Sequence, residues 1–326
     1  MGVPRTSPDA VLFTSYNAYD LFLDGSPAGQ ERYQLVIDTI REAGPDVLAI
    51  QEVRAADSAT ARQRLGQLAA DTGLRCLVPG PDGGAGRPAL AVGSHGYHVG
   101  LLWRAGIDPV PGSLQVRSQD FWHGLATVVL DVGGRRVRHG SYHAPPFGRR
   151  MRADESELLL AAITRSGGPL PALVGGDWNA ESADRVPAAT GGWQLYEPGD
   201  PYAGVSWFPD MAYQCDLTYD ETGQPRHRVD RSAGEVLWAG GLYDAAAALQ
   251  APWQPTTGHH PGDAYAQRGV RRRIDVVRVT GEVVGALRAH RVEDSTRARL
   301  ASDHLPVSVE YLPAAIGGSP GPRRGV

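Results

Sequence analysis

The chain has 326 residues, 42% of them hydrophobic and 21% charged, with a formal net charge of −4 and a pI near 6.2. That length supports a sizeable buried core, in one large domain or two small ones, and no run of about 18 apolar residues is present that could span a bilayer. The acidic balance argues against the broad phosphate-neutralising surface of tight nonspecific DNA binding, and all 32 basic residues are Arg, which excludes a Lys Schiff base, a Lys general base and a P-loop lysine.

Taken in chain order, "VLFTSYNAYD" opens with the apolar run Val11 to Phe13, and "ERYQLVIDTIREAGP" then sets Tyr33, Val36, Ile37 and Ile40 at helical spacing before Gly44-Pro45 stops it. "DVLAIQEV" is a near-continuous apolar run, as expected of a strand covered on both faces, and it ends at Gln51-Glu52. A second helix is expected over Ser58 to Asp71. Further strands are expected at "RCLVPG", "HVGLLWR", "LATVVLDV", "VRHGSYH", "PALVGGD", "IDVVRV" and "PVSVEYL", with a helix over "MRADESELLLAAITRSG". Many strands with few helices imply a layered α/β sandwich. Cys76 and Cys215 make no disulfide framework, and "MGVPRTSPDAVLF" lacks the pattern of a secretory signal, so a cytoplasmic location is expected.

"GPDGGAGRPALAVGSHG" reads as a Gly-rich loop, and Pro187 to Ala233 mixes aromatics, prolines and charges without sustained period. The expectation is a single domain over residues 9–312, with a long irregular insertion at about 187–235 forming an ordered wall, and a disordered tail over 313–326.

Several apolar runs share one habit: they end in polar side chains that are costly beside a core unless paired or ligand-bound. These are Asn17 after "VLFTSY", Glu52 after "VLAIQ", His143 after "HGSY", Asp177 and Asn179 after "LVGG", and Asp303-His304 ahead of "LPVSVEY"; Asp275 enters the "IDVVRV" strand, with His304 as its candidate partner. One such end is a loop, and an isolated Asp-x-Asn is usually a turn. Five together point to a shared site.

The set resembles the endonuclease/exonuclease/phosphatase superfamily. In order along the chain, "SYN" is similar to its first asparagine motif, "QE" to its metal-binding glutamate and "SYHAPP" to its central histidine strand. "GGDWNA" is similar to its GDxN signature, "RRRID" to its late Asp strand and "SDHLPV" to its terminal SDH. Ser141 departs from the pattern, standing where many relatives have Asn. The resemblance implies a four-layer α/β sandwich, two packed mixed β-sheets flanked by helices, with the active site at one open end.

It also implies roles, consistent with the chemistry each side chain offers. Phosphate ester hydrolysis needs an in-line water, neutralised phosphoryl oxygens and a leaving group that can depart. Glu52 would bind Mg²⁺ or Mn²⁺, with Asn17 supporting the ion or its waters and Asp303 either joining the metal shell or orienting its neighbour His304. Asp177 would orient or deprotonate the attacking water, Asn179 donate an amide N–H to a phosphoryl oxygen, and His304, held protonated by Asp275, donate another, with His143 opposite. The expected activity is that of a metal-dependent phosphodiesterase or nuclease-like hydrolase acting on nucleic acid or a small phosphorylated metabolite, with no membrane or protein partner. The alternatives are a phosphatase acting on a small monoester and a noncatalytic binding protein on the same fold. "RRR" could hold substrate phosphates or be solvated charge; His259-His260 could suggest a metal site, but adjacent histidines in an extended chain point apart; His95 and His98 could reach the cleft.

Overall fold

The computed structural model describes residues 5–165 and 170–317. Two mixed sheets form its centre. In the first, six strands run in the order Leu287–Val292, Val307–Tyr311, Val11–Leu21, Val47–Arg54, Tyr97–Trp103 and Leu90–Ala91. In the second, the order is Leu242–Asp244, Asp275–Thr280, Ala172–Asp177, Arg135–His143, Leu125–Val132 and Asp108–Pro109, with Gln115–Arg117 also on Leu125–Val132. Each sheet has one parallel pair at its heart, Val11–Leu21 with Val47–Arg54 and Arg135–His143 with Ala172–Asp177, among antiparallel neighbours.

The sheets pack face to face through Phe13, Val47, Ala49, Leu101, Trp103, Val128, Leu130, Leu173, Val277 and Val279. The opposite face of the first sheet, with Tyr16, Leu48 and Ile50, is covered by the helices Pro27–Ala43 and Ser58–Thr72, which contribute Val36, Ile37, Ile40, Leu65 and Leu68. The second sheet's outer face carries Val174 and Val276 and is covered by Arg149–Thr164 and Ser232–Gly240 through Leu159, Ile163 and Leu237. Helix, sheet, sheet and helix therefore make four layers, and "VLAI" is apolar throughout because alternate side chains enter different cores.

Caps set the helix bounds. Ser26 Oγ accepts from Gly29 N and Asp57 from Ala59 N and Thr60 N, while Gly44 and Gly73 close the two helices in the left-handed conformation. Gly175 serves a different need. A Cβ there would lie 2.8 Å from that of Ser15, so the glycine lets the sheets approach directly beneath the Asp177 end of its strand.

Some expectations change. "RCLVPG" forms only a short strand at Leu77–Val78. The Gly-rich stretch is partly sheet: Leu90–Ala91 pairs with Tyr97–Trp103, and Ala89 to Ala91 are buried. The stretch expected to be irregular instead carries antiparallel hairpins at Arg185–Pro187/Trp193–Leu195 and Cys215–Tyr219/Pro225–Val229, and a small core of Tyr202, Phe208, Met211, Cys215 and Val270. The tail expected to be disordered from 313 begins instead with a 3₁₀ turn, Pro313–Ala315, and buried Ile316, whose burial against the main core holds it; the remainder, 318–326, lies outside the described residues. No helix among the described residues is long and apolar enough to cross a membrane.

Candidate active site

Strand register assembles the site. His143 pairs with Asp177, and Asp177 pairs with Asp275, so three neighbouring strands place three polar side chains on one rung of the second sheet. The first sheet brings Asn17 and Gln51 into register, and Glu52 follows at a bulge, with φ +62°. Asn179 also has positive φ, at +47°. Two functional side chains therefore depend on backbone conformations that non-glycine residues adopt at a cost.

Asn17 links the two sheets. Its Nδ2 donates to Glu52 Oε1 and Asp177 Oδ2, both at 3.0 Å, while its Oδ1 accepts from Tyr19 N. Both amide hydrogens are spent on the two carboxylates, so this side chain aims Glu52 and Asp177. Beneath it, Ser141 Oγ accepts from Gln51 Nε2 and donates to Ile50 O, each at 3.0 Å. The departure from Asn at this position thus supplies a compact bridge between the sheets. Ser302 Oγ donates to Asn17 O at 2.8 Å and accepts from His304 N, tying the "SDH" turn to the first strand.

His304 Nδ1 lies 2.8 Å from Asp275 Oδ2, which leaves Nε2 directed at Asp177 Oδ2, 3.7 Å away. Burial alone would lower the imidazole's pKa, but the carboxylates of Asp275, Asp303 and Asp177 prevail and hold it well above the ordinary histidine value. His143 is the opposite case. Its Nε2 is 3.5 Å from the same Asp177 oxygen, yet burial and the His304 charge push its pKa down to about 3. One histidine is thus a cationic donor and the other a neutral ring. Asn179 N donates to Asp177 Oδ1 at 2.9 Å and one Nδ2 hydrogen goes to Ala144 O, so the second amide hydrogen is available to the cleft that Asn179 lines.

Burial and the neighbouring Asp303 carboxylate push Glu52 up to about 7, although Asp20 N and Asn17 donate to it. Asp303 is raised by burial too, and its Oδ1 is buried without a hydrogen-bond partner. Two carboxylates in electrostatic contact, one with an oxygen that makes no hydrogen bond and faces His304 Nε2 at 3.9 Å, suit a hard divalent cation with oxygen ligands. Asp177, Asp275 and His304 also bring one donor atom each within 4.8 Å of one another. There, however, the protonated His304 has no lone pair to give while its Nδ1 proton is held by Asp275. Glu52 and Asp303 are the better pair.

The cleft above these groups, about 400 Å³, is walled by His95, Tyr97, Trp122, His123, Pro146 and Phe147. His123 is an addition to the expected set. Its ring stacks on His143 with centroids 4.3 Å apart, and only the fold brings "FWHG" to that place. His95 does reach the cleft, whereas His98 is buried elsewhere, its Nδ1 accepting from Gly93 N. His259 Nε2 lies 3.0 Å from Ser302 O and His260 packs near Tyr19. The "RRR" segment divides: Arg272 stacks on Tyr265, and Arg273 is bound to Glu197 and Asp244 away from the cleft.

The profile of the Endonuclease/Exonuclease/phosphatase family matches residues 15–304. Among solved structures, a mannosyl-6-phosphatase from Bacteroides thetaiotaomicron superposes with a TM-score of 0.55 at 16% identity, covering 92% of this chain and 98% of that one. Caenorhabditis elegans TDP2, in truncated form, gives 0.54 at 16% identity over 93% and 97% of the two chains. An AP endonuclease from Archaeoglobus fulgidus gives 0.55 at 15% identity over 92% and 99%. At such identities the likeness is one of fold, and these neighbours differ in what they act on. No curated protein matches the chain.

Proposed function

The chain belongs to the Endonuclease/Exonuclease/phosphatase family, and from that premise we propose that it is a Mg²⁺-dependent phosphodiesterase that hydrolyses its substrate by in-line attack of water. The observation that carries this reading is the shared focus on Asp177 Oδ2 of a protonated donor, His304, and a neutral ring, His143, at 3.7 and 3.5 Å.

Asp177 accepts the proton of the attacking water, its orientation fixed by Asn17 Nδ2 and Asn179 N. His304 Nε2–H and the free Asn179 amide hydrogen stabilise the charge on the phosphoryl oxygens. Asp275 keeps the His304 proton in place and the ring aimed. His143 supplies a neutral ring nitrogen on the other flank. Glu52 and Asp303 would hold the divalent cation, which supplies Lewis-acid stabilisation of the phosphoryl and leaving oxygens.

Among the described residues no Arg lines the cleft, so the second charge of a monoester would find no guanidinium partner there, which favours a diester. The test is a parallel panel, with and without Mg²⁺ or Mn²⁺, of bis-p-nitrophenyl phosphate, p-nitrophenyl phosphate, single- and double-stranded DNA, RNA and phosphorylated sugars, with Asp177→Asn as control. Metal-dependent cleavage of diesters that disappears in the variant is expected. Phosphate release from monoesters alone would replace this reading with a metabolite phosphatase.

A further inference from the structure

The catalytic cleft has a wall that hydrolysis itself does not require. Phe147 follows Pro145-Pro146 at its mouth and is 55% exposed, although its ring is fixed edge-to-face against Tyr213 at 5.0 Å. Trp122 lines the same cleft, tilted over His95 at 5.2 Å, and its backbone N–H is anchored by Glu155 Oε1 at 2.6 Å. Behind it His123 stacks on His143, so aromatic rings run continuously from the reacting centre outwards.

Single exposed aromatics are ordinary on protein surfaces. Two that are held by neighbours, face one cleft and stand beside a phosphoester site present a surface to whatever the phosphate carries. That surface lacks what a second phosphate would need. Among the described residues lining this cleft there is no Arg, and the chain has no Lys. Arg54, beside the cleft residues Tyr97 and His95, is engaged: it stacks on Tyr97 at 3.8 Å, contacts Asp20 at 3.2 Å and donates to His95 O at 2.7 Å.

Building on the phosphodiesterase reading, we propose that Trp122 and Phe147 form a stacking subsite for a planar aromatic group esterified to the scissile phosphate, which makes the substrate a nucleotide or aryl diester and disfavours sugar phosphates and polyphosphates. A ring laid on such a wall gains through dispersion and desolvation with little sequence or substituent preference, since every base or aryl ring has a flat face.

The test compares ligands sharing one phosphate but differing in the attached group. Calorimetric affinity would be measured for thymidine 5′-phosphate, phenyl phosphate and ribose 5-phosphate, and turnover for thymidylyl-thymidine and glycerophosphocholine, in wild type, Phe147→Ala, Phe147→Leu and Trp122→Leu. Circular dichroism would verify each fold. The wild type is expected to bind the two aromatic ligands at least about tenfold more tightly than ribose 5-phosphate. Phe147→Ala should erase most of that ratio by raising KM for the dinucleotide with kcat nearly unchanged, and Phe147→Leu should recover only part of it. Preference for thymidine 5′-phosphate over phenyl phosphate would identify the ring as a nucleobase; equal affinity would identify a general aryl subsite. Equal binding of all three ligands, or a ratio untouched by both Phe147 variants, would overturn the subsite even if diesters are cleaved. Aromatic preference without turnover of any phosphoester would keep the subsite and sink the phosphodiesterase reading.

Discussion

Arg273 and Asp275 stand two residues apart, both almost wholly buried, and belong to opposite kinds of charged cluster. On the Arg273 side, Arg231, Arg273 and Arg278 face Glu197, Asp244 and Asp184, with Arg278 Nη1 2.9 Å from Asp184 and Arg273 bound to both other acids. A fourth acid, Glu181, is held well above the ordinary carboxylate range by burial and the adjoining Glu197, so it adds little charge to three guanidiniums and three carboxylates that balance, and the cluster ties the 187–235 segment to the second sheet. On the Asp275 side, four carboxyls crowd around one protonated imidazole, and burial raises Glu52, Asp275 and Asp303 above the ordinary carboxylate range, so the fold supplies too little positive charge to hold them all ionised. A buried charged group with its partner in place signals architecture; a surplus of one sign signals a ligand still to come.

That contrast can be broken by experiment. The largest effect is expected on the balanced side: Arg273→Met strands two buried acids and should cost about 3–5 kcal/mol of stability in urea unfolding. A loss below about 1 kcal/mol would show that this cluster is not what holds the segment. Next, Asp177→Asn and His304→Ala should each lower turnover at least about a hundredfold in protein that still unfolds cooperatively. Near-normal turnover in either folded variant refutes its role. Asn17→Ala should weaken metal affinity or activity on the order of 10- to 100-fold, because the amide aims two carboxylates without itself reacting. An unchanged metal titration and turnover would reduce Asn17 to a turn residue.

The smallest effect concerns pH. Burial pushes Glu155, which fastens Trp122 and Tyr142, up to about 7. A carboxyl whose pKa is higher folded than unfolded binds its proton more tightly in the folded state. Its stabilising contribution is therefore complete below the unfolded value near 4.5 and is lost as pH rises to about 7. Glu155→Gln should flatten the fall in melting temperature between those limits; an unaltered slope would assign it to other groups.

The central strands were legible because both faces of each sheet are buried, leaving unbroken apolar runs such as "LATVVLDV" and "VLAI". Leu287–Val292 was not, since an edge strand reading "LRAHRV" meets solvent and carries no such run. The insertion's hairpins escaped for the same reason: Cys215–Tyr219 is exposed along most of its length. Within the site, Asp177, Asn179, Asp275 and His304 were readable from order along the chain. His123 was not, because nothing local distinguishes a histidine that will stack on another strand's histidine from one in a loop. The double duty of the Asn17 amide likewise exists only once the two sheets meet.

The rung shared by His143, Asp177 and Asp275 has a consequence for how activity is acquired. Side chains alternate along a strand, so a one-residue slip of Ala172–Asp177 would carry Asp177 to the far face and separate it from both neighbours. Compact misfolded chains with native-like helix content would then be inert. During refolding, catalysis should return in step with the locking of that parallel pair, later than the recovery of helical signal, which makes turnover a reporter of strand registration in this protein.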